Sequence, residues 1–174
     1  MALGIDNLPA KVRVVEVGPR DGLQNEAVVL STDDKITFIN LLSDAGFSEV
    51  EVTSFVHPQR VPQLADAKEV LAKLSPRSGL RYTALVPNLK GLERAIESGV
   101  SSIALFTAAS ETFTQRNIGM TIADSLKVFG EIVPRARDHG MFVRAYLSTA
   151  FVCPFEGAIQ PHQVSPVVNA LLDL

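Results

Sequence analysis

The feature of this sequence that most restricts its fold is a short pattern that occurs three times. In each copy a glycine (Gly46, Gly99 or Gly140) follows a helix-like segment and precedes an apolar, β-prone run. Glycine commonly ends a helix in the left-handed conformation, so the pattern predicts a helix that leads into a strand. Repeated helix–strand units favour an α/β fold with a parallel sheet.

Apolar periodicity and turn residues extend this pattern to five strand–helix units. The predicted strands cover residues 11–17, 49–55, 81–86, 102–107 and 142–148. The predicted helices cover residues 31–45, 63–74, 89–98, 121–138 and 161–174, with a long loop over residues 108–120. No linker or low-complexity tract interrupts the units, so we expect residues 1–174 to form a single domain.

Composition narrows the classes of function. Hydrophobic residues make up 47% and charged residues 20% of the 174, which is typical of a globular protein. The net charge of -3 and the lack of a basic block give no reason to expect a nucleic-acid partner. No apolar run is long enough to span a membrane, and the first ten residues do not resemble a secretory signal. The single cysteine allows no intrachain disulfide, so we expect a reducing compartment, the cytoplasm.

The segment over residues 14–26 carries the most chemistry. A β-prone run ends at Gly18 and Pro19, and Arg20 and Asp21 follow directly. They are therefore predicted to lie on a short loop at the carboxyl end of a strand, where ligands bind in parallel sheets. Asp21 offers oxygen ligands to a hard divalent cation, and Arg20 offers a planar fork to a carboxylate, a phosphate or a developing oxyanion. A plain Arg–Asp ion pair is the alternative interpretation.

Charged residues on the predicted strands are also candidates. By period-two alternation Glu51 shares a face with Glu49 and Thr53, and it is either an exposed edge charge or an inward group that orients Arg20. Glu16 and Arg144, on the first and fifth predicted strands, need charged partners if they are buried. A structural ion pair between those two is the simplest expectation.

Four further polar residues could contact a substrate. Gln24 lies close to Asp21, Ser54 ends the second predicted strand, and Arg116 and Asn117 lie in the long loop. Their alternative roles are, respectively, capping of the loop backbone, a plain strand-end hydroxyl, and solvated loop residues. Arg116 could meet the phosphates of a coenzyme.

The run over residues 17–26, Val-Gly-Pro-Arg-Asp-Gly-Leu-Gln-Asn-Glu, resembles the first-strand signature of 3-hydroxy-3-methylglutaryl-CoA lyases. The resemblance continues in order through residues 51–56, 87–91, 108–111 and 153–157. It covers essentially all of this chain but about the first half of a family member. It implies the (β/α)8 fold of a TIM barrel, here an incomplete barrel of the first five βα units, truncated at its C-terminal side.

The resemblance also implies an activity. It predicts a divalent cation, Mg or Mn, and retro-aldol cleavage of an acyl-CoA substrate to acetyl-CoA and acetoacetate, a step of leucine degradation. Asp21 would be a metal ligand, Arg20 would stabilise the enolate, and Glu51 would lie beside the metal and the substrate. The condensing relatives, isopropylmalate and homocitrate synthases, typically have Leu-Arg-Asp-Gly-Glu-Gln where this chain has Pro-Arg-Asp-Gly-Leu-Gln, so they form a less favoured alternative.

Parts of the family's site have no counterpart in this sequence. The family completes its metal site with a later His-x-His and an Asn, and its catalytic Cys lies later still. Here His57, His139 and His162 are isolated and are expected at the surface, while Cys153 is expected to be a small buried residue. We therefore expect the 174-residue chain alone to be inactive, or to be a non-catalytic fragment. The open edges of an incomplete barrel further predict a homo-oligomer or an aggregate.

Overall fold

The computed structural model describes residues 10–174, in which parallel strands alternate with helices. The main sheet contains strands β1 (Glu49–Ser54), β2 (Arg81–Leu85), β3 (Ser102–Ala108) and β4 (Phe142–Ser148). These strands are neighbours in chain order and every pair is parallel. Each connection between them passes through at least one helix, which is the repeating unit of a TIM barrel.

The helices are α1 (Thr32–Asp44), α2 (Ala67–Lys73), α3 (Leu89–Glu97), α4 (Glu111–Ile118), α5 (Ile122–Asp138) and α6 (Pro161–Leu172). Local sequence sets several of their starts, because the side chains of Ser31, Asn88, Ser110 and Thr121 each accept a hydrogen bond from a backbone N–H three residues on. The repeated glycines end the preceding helices with positive φ angles of 91° at Gly46, 70° at Gly99 and 69° at Gly140. The pattern that predicted a helix followed by a strand is confirmed.

The predicted length of the first strand is wrong. Within residues 10–174 it is reduced to one bridge between Glu16 and Val50, so the sheet has four strands rather than five. Among the described residues Glu16 pairs only with β1, and the upstream Val12 and Val14 are 76% and 59% exposed. A lone edge segment with exposed valines gains too little burial to extend the pairing.

Three connections also differ from the predictions. The predicted long loop contains α4, which Ser110 caps and which ends at Gly119 in a left-handed conformation (φ 72°). A 3-10 turn, Pro62–Leu64, precedes α2, which is shorter than predicted because it begins only at Ala67. The loop after β4 folds into a small antiparallel hairpin, β5 (Val152–Cys153) with β6 (Gly157–Ala158).

The core divides into two main parts. The larger one packs α3 and α5 against β2 and β3 through residues such as Leu92, Ile103 and Ile132. The other packs α1 and α2 against β1 around Ile39 and Val50. Together they fix the sheet that carries the site. No helix within residues 10–174 has the length and apolar character that a membrane span requires.

Candidate functional site

The chain turns sharply after Glu16. Residues Gly18–Gly22 form a single wide helical turn, in which the backbone N–H groups of Arg20 and Asp21 both reach the carbonyl of Val17, at 3.1 and 2.7 Å. The Glu16 carboxylate accepts a hydrogen bond from the Gly18 N–H at 2.6 Å. A Cβ on residue 18 would lie 2.8 Å from that carboxylate oxygen, so a larger residue there would displace the Glu16 carboxylate from this hydrogen bond.

This turn holds Arg20 in a fixed position. Its Nε donates to Glu51 Oε1, and its Nη1 lies 2.8 Å from Asp21 Oδ1. The Arg20 side chain is 10% exposed, whereas the Asp21 side chain is 55% exposed. The predicted contact between Glu51 and Arg20 is present, and so is the Arg–Asp ion pair. Nη2 of Arg20 has no hydrogen-bond partner among residues 10–174 and can serve a ligand.

Glu51 is completely buried and is surrounded by donors. Besides Arg20, its Oε2 accepts from the Tyr146 hydroxyl at 2.6 Å and from Arg144 Nη2 at 2.9 Å. Burial, followed by the neighbouring Glu51 carboxylate, raises the pKa of Tyr146 above its usual range, so its hydroxyl stays a proton donor. The carboxylate is thereby locked in one orientation toward Arg20.

Arg144 connects this carboxylate to a second one. Its Nη1 lies 3.5 Å from Glu49 Oε1, and Arg81 Nη1 lies 3.4 Å from Glu49 Oε2. The result is a row of alternating charges across the sheet, which we call the charge row: Arg81, Glu49, Arg144, Glu51, Arg20 and Asp21.

The predicted ion pair between Glu16 and Arg144 is wrong. The Glu16 carboxylate is occupied by the N–H of its own turn, and Arg144 lies between two buried glutamates. A buried guanidinium is stabilised most by carboxylates that are themselves withdrawn from water, which Glu49 and Glu51 are.

The other predicted residues are less closely tied to Arg20. Gln24 is half-buried just after the turn. Ser54 is fully buried and its Oγ accepts from the backbone N–H of Val56 at 3.1 Å, as a strand-end hydroxyl would. Arg116 and Asn117 lie on α4 and not in a loop, and both are exposed. The Arg116 guanidinium lies 4.2 Å from the centre of the Phe155 ring, and no hydrogen bond joins it to the charge row.

Sequence reasoning missed two members of this cluster. Tyr146 is one of them, and its alternation with Arg144 on the same strand face is a signal in the sequence that points to it. Arg81 was also missed, because nothing in its local sequence shows that it reaches Glu49 on the neighbouring strand.

The cysteine is buried and the three histidines lie at the surface, as expected. Cys153 is 1% exposed, with its Sγ 3.1 Å from Ser110 Oγ. Burial raises the pKa of this thiol, but hydrogen bonds with Ser110 and the Phe155 backbone outweigh that effect and lower it. His57, His139 and His162 are all exposed.

A divalent cation would find one ligand here. In the part of the chain that the structure describes, no group of three or more His, Cys, Asp or Glu side chains is arranged to hold a metal. Asp21 is an exposed carboxylate with one oxygen engaged by Arg20. Asp21 can therefore supply one ligand to a metal site, but the described residues do not supply a complete coordination shell.

A parallel α/β sheet with a buried arginine held toward the carboxyl ends of its strands defines a partial TIM barrel with a site suited to negative charge. The HMGL-like family model matches residues 11–174. The chain belongs to this family, and since HMG-CoA lyases are TIM barrels, the predicted fold class is confirmed.

Individual relatives agree with this assignment. The 3-hydroxy-3-isohexenylglutaryl-CoA/hydroxy-methylglutaryl-CoA lyase of Pseudomonas aeruginosa is 52% identical over 95% of this chain and 55% of its own length. A crystal structure of hydroxymethylglutaryl-CoA lyase from Pseudomonas aeruginosa is 51% identical, with a TM-score of 0.91 over 96% of this chain and 56% of that one. An HMG-CoA lyase from Acinetobacter baumannii in complex with coenzyme A and 3-methylmalate is 40% identical, with a TM-score of 0.88 over 92% of this chain and 52% of that one. The chain thus spans about half the length of these relatives.

Proposed function

We propose that this chain provides the Arg20 half of the active site of a lyase that cleaves 3-hydroxy-3-methylglutaryl-CoA, or a close analogue, to acetyl-CoA and acetoacetate. The observation that carries the proposal is the buried guanidinium of Arg20, held by Glu51 with Nη2 uncommitted. The lyase activities for which the relatives are named, and the coenzyme A bound in one of them, support the choice of substrate.

Arg20 and Glu51 have different roles in the proposed reaction. In a retro-aldol cleavage the substrate's tertiary hydroxyl loses its proton and becomes a ketone, and the adjacent carbon–carbon bond breaks. The released electron pair moves onto the thioester carbonyl, which becomes an enolate, and protonation of the enolate carbon then gives acetyl-CoA. Arg20 donates hydrogen bonds to that enolate oxygen, while Glu51 keeps the guanidinium in place.

A divalent cation, Mg or Mn, would make the substrate's hydroxyl more acidic when bound. We propose Asp21 as one of its carboxylate ligands, because its side chain is exposed beside Arg20.

Four residues are proposed to contact the substrate. Gln24 offers an amide close to Asp21, and the Ser54 hydroxyl can still donate to a carboxylate while it accepts from Val56. Arg116 and Asn117 are exposed on α4, where they can meet the phosphates of coenzyme A. We propose the cytoplasm as the location, since the lone cysteine is buried and has no disulfide partner within residues 10–174.

The proposal is tested by a chimera that joins this chain to the remaining segment of the Pseudomonas aeruginosa relative, which this chain matches over 55% of its length. With Mg or Mn present, the chimera should release acetoacetate from 3-hydroxy-3-methylglutaryl-CoA. Arg20→Met should lower kcat by about two to three orders of magnitude and leave KM nearly unchanged, because the charge that Arg20 meets develops only in the transition state.

Two alternatives have their own outcomes in this assay. A chimera that instead condenses acetyl-CoA with a 2-oxoacid would assign the chain to the synthase relatives. A folded chimera that does neither would identify this segment as non-catalytic. Near-normal kcat in Arg20→Met would remove Arg20 from the mechanism.

A further inference from the structure

We propose that the amino ends of the strands carry a second binding site, for a tetrahedral oxyanion such as a phosphate group. A cavity of about 390 Å³ opens there, lined by Arg13, Ser48, Gly79, Leu80, Arg81 and Ser101. Ser48 directly precedes β1, Arg81 begins β2 and Ser101 directly precedes β3. Three adjacent strands therefore contribute to one concavity, at the opposite end of the sheet from Arg20 and Asp21.

Arg81 is held in the cavity wall by two neighbours, Phe142 and Glu49. Its guanidinium lies 3.9 Å from the centre of the Phe142 ring, and stacking of this kind fixes the plane of the group while leaving its N–H edge available. One nitrogen, Nη1, reaches Glu49 at a long 3.4 Å. Within residues 10–174, Nε and Nη2 make no hydrogen bond, so an edge able to bind two oxygens is open.

The serines add neutral donors. The carbonyl of Ser48 accepts from the Arg81 N–H at 3.0 Å, and that of Ser101 accepts from the Phe142 N–H at 2.9 Å, so the sheet fixes both backbones. Both serines are exposed, and neither hydroxyl is hydrogen-bonded within the described part of the chain. They are free to donate into the cavity.

The charge balance favours an anion. The three arginines of the charge row are matched by its three carboxylates, Glu49, Glu51 and Asp21. Arg13 adds a fourth guanidinium at the cavity wall, and none of the acidic side chains of residues 10–174 lines it. Glu49 is 1% exposed and lies behind Arg81, so its repulsion of a bound anion is partly cancelled by Arg81 and Arg144.

The donor set points to a tetrahedral ion more than to a carboxylate. Two guanidiniums and two hydroxyls supply more N–H and O–H groups than the two oxygens of one carboxylate readily accept. A phosphate group presents acceptor oxygens in several directions and carries more charge. The cavity volume is also in the range of small-molecule sites, so the phosphate can belong to an ester.

The test is a calorimetric titration of the chain with inorganic phosphate, and in a second series with glycerol phosphate, with chloride added to hold the ionic strength constant. We expect saturable binding of one phosphate, with a Kd of about 1 mM for the free ion. Tighter binding of the ester would assign the cavity to a phosphorylated small molecule, and equal binding would assign it to the phosphate group alone. Arg81→Met and Arg13→Met should each weaken binding at least tenfold.

Arg94→Met is the matched control, because Arg94 also lies over an aromatic ring, 5.3 Å from the centre of Phe55, but does not line the cavity. It should change the Kd less than twofold. If Arg81→Met fails to fold because Glu49 loses a partner, the double variant Ser48→Ala, Ser101→Ala provides the test and should weaken binding severalfold. Non-saturable heats, or equal loss in Arg94→Met, would overturn the proposal. Loss in Arg20→Met alone would place the phosphate at the other end of the sheet and also overturn it.

Because this measurement involves no cleavage reaction, it can fail or succeed independently of the proposed function.

Discussion

Glu51 is the residue on which the site depends most. It is fully buried and its charge is balanced by Arg20 and Arg144 on its two sides. Removing one partner of a buried ion pair typically costs about 3 to 5 kcal/mol, because the remaining charge stays buried without compensation. We therefore expect Glu51→Gln to lower the free energy of unfolding in urea by about that amount.

Asp33 provides the comparison, since it pairs with Lys73 at the surface, where the two side chains are 85% and 52% exposed. Asp33→Asn should cost less than about 1 kcal/mol. Equal losses in the two variants would show that Glu51 is effectively solvated in the folded chain.

Ionisation of Tyr146 makes the stability of the chain depend on pH in the alkaline range. Burial and the neighbouring Glu51 raise its pKa in the folded state above the unfolded value of 10.0. A raised pKa means that the folded state retains the proton when the unfolded state loses it. The resulting stabilisation is complete below about pH 10 and is lost as the pH rises from there through the folded-state pKa.

The measurement compares urea unfolding of the natural chain and of Tyr146→Phe at pH 8 and above pH 10. Tyr146→Phe removes the hydroxyl bonded to Glu51, so this variant should be less stable than the natural chain at pH 8. As the pH rises above 10, it should lose less stability than the natural chain does. Tyr82→Phe, which changes the only other tyrosine, serves as the control. Parallel pH profiles for the natural chain and Tyr146→Phe would contradict a raised pKa.

At the scale of single residues, the sequence predicted a role correctly where that role depends on neighbours in the chain. Adjacent Arg20 and Asp21 after a glycine–proline stop identified the loop, and alternation placed Glu51 on one strand face with Glu49, but the contact between Glu51 and Arg20 shows that this face points inward. The partner of Arg144 could not be found in this way. Which glutamate it meets depends on strand order and register, and a local pattern contains neither.

At the scale of elements, two glycines inside helices differ in their structural roles. A Cβ on Gly91 in α3 would lie 2.8 Å from Pro87 Cδ and 3.3 Å from the Phe55 carbonyl oxygen. Of the atoms in residues 10–174 beyond its own helix, the nearest to a Cβ on Gly130 in α5 would be Leu174 Cδ2, at 3.8 Å. Gly91 therefore permits α3 to approach the end of β1, whereas Gly130 has no such role.

Alanine substitutions should separate the two roles. Gly130→Ala should stabilise the chain by about 0.5 to 1 kcal/mol, because alanine loses less backbone freedom in a helix. Gly91→Ala should destabilise it by about 1 to 3 kcal/mol through overpacking. Thermal unfolding of both variants gives the result, and a gain in stability for Gly91→Ala would mean that α3 can shift away from Phe55 without cost.

The elements also show what pattern reasoning can recover. Helices with a side-chain cap and a terminal glycine, such as the one that begins after Asn88, were predicted to within a residue or two. The first strand was predicted from its valines alone, but a strand requires neighbours that one segment cannot reveal. Helix α4 was missed because its eight residues are mostly polar and give no apolar periodicity.

At the scale of the whole molecule, β4 ends the sheet within residues 10–174. Its outer backbone groups have no strand partner there, and Phe142 and Phe151 are 40% and 85% exposed nearby. An uncovered edge beside exposed aromatic rings is a template for pairing between copies. We expect the purified chain to self-associate with increasing concentration, as sedimentation velocity would show.

A lysine on β4 should reduce this association, since edge charges oppose strand pairing. Ala145 is exposed on β4, so Ala145→Lys is a suitable variant, and Thr37 is exposed on α1, so Thr37→Lys adds the same charge away from the edge. Association should fall in Ala145→Lys and persist in Thr37→Lys. A compact monomer with a cooperative melting transition would show that the four-stranded unit is self-sufficient.

The charge row also affects how this protein can change over evolutionary time. Each of its inner members, such as Glu49 or Arg144, neutralises a neighbour on either side, so losing one leaves two charges of the same sign partly unbalanced. A second substitution that removes an adjacent opposite charge restores the balance, and close neighbours of this kind are far from additive. Accepted mutations in the row should therefore occur as compensating pairs, and a lineage crossing from one arrangement to another must pass through a poorly folding single mutant.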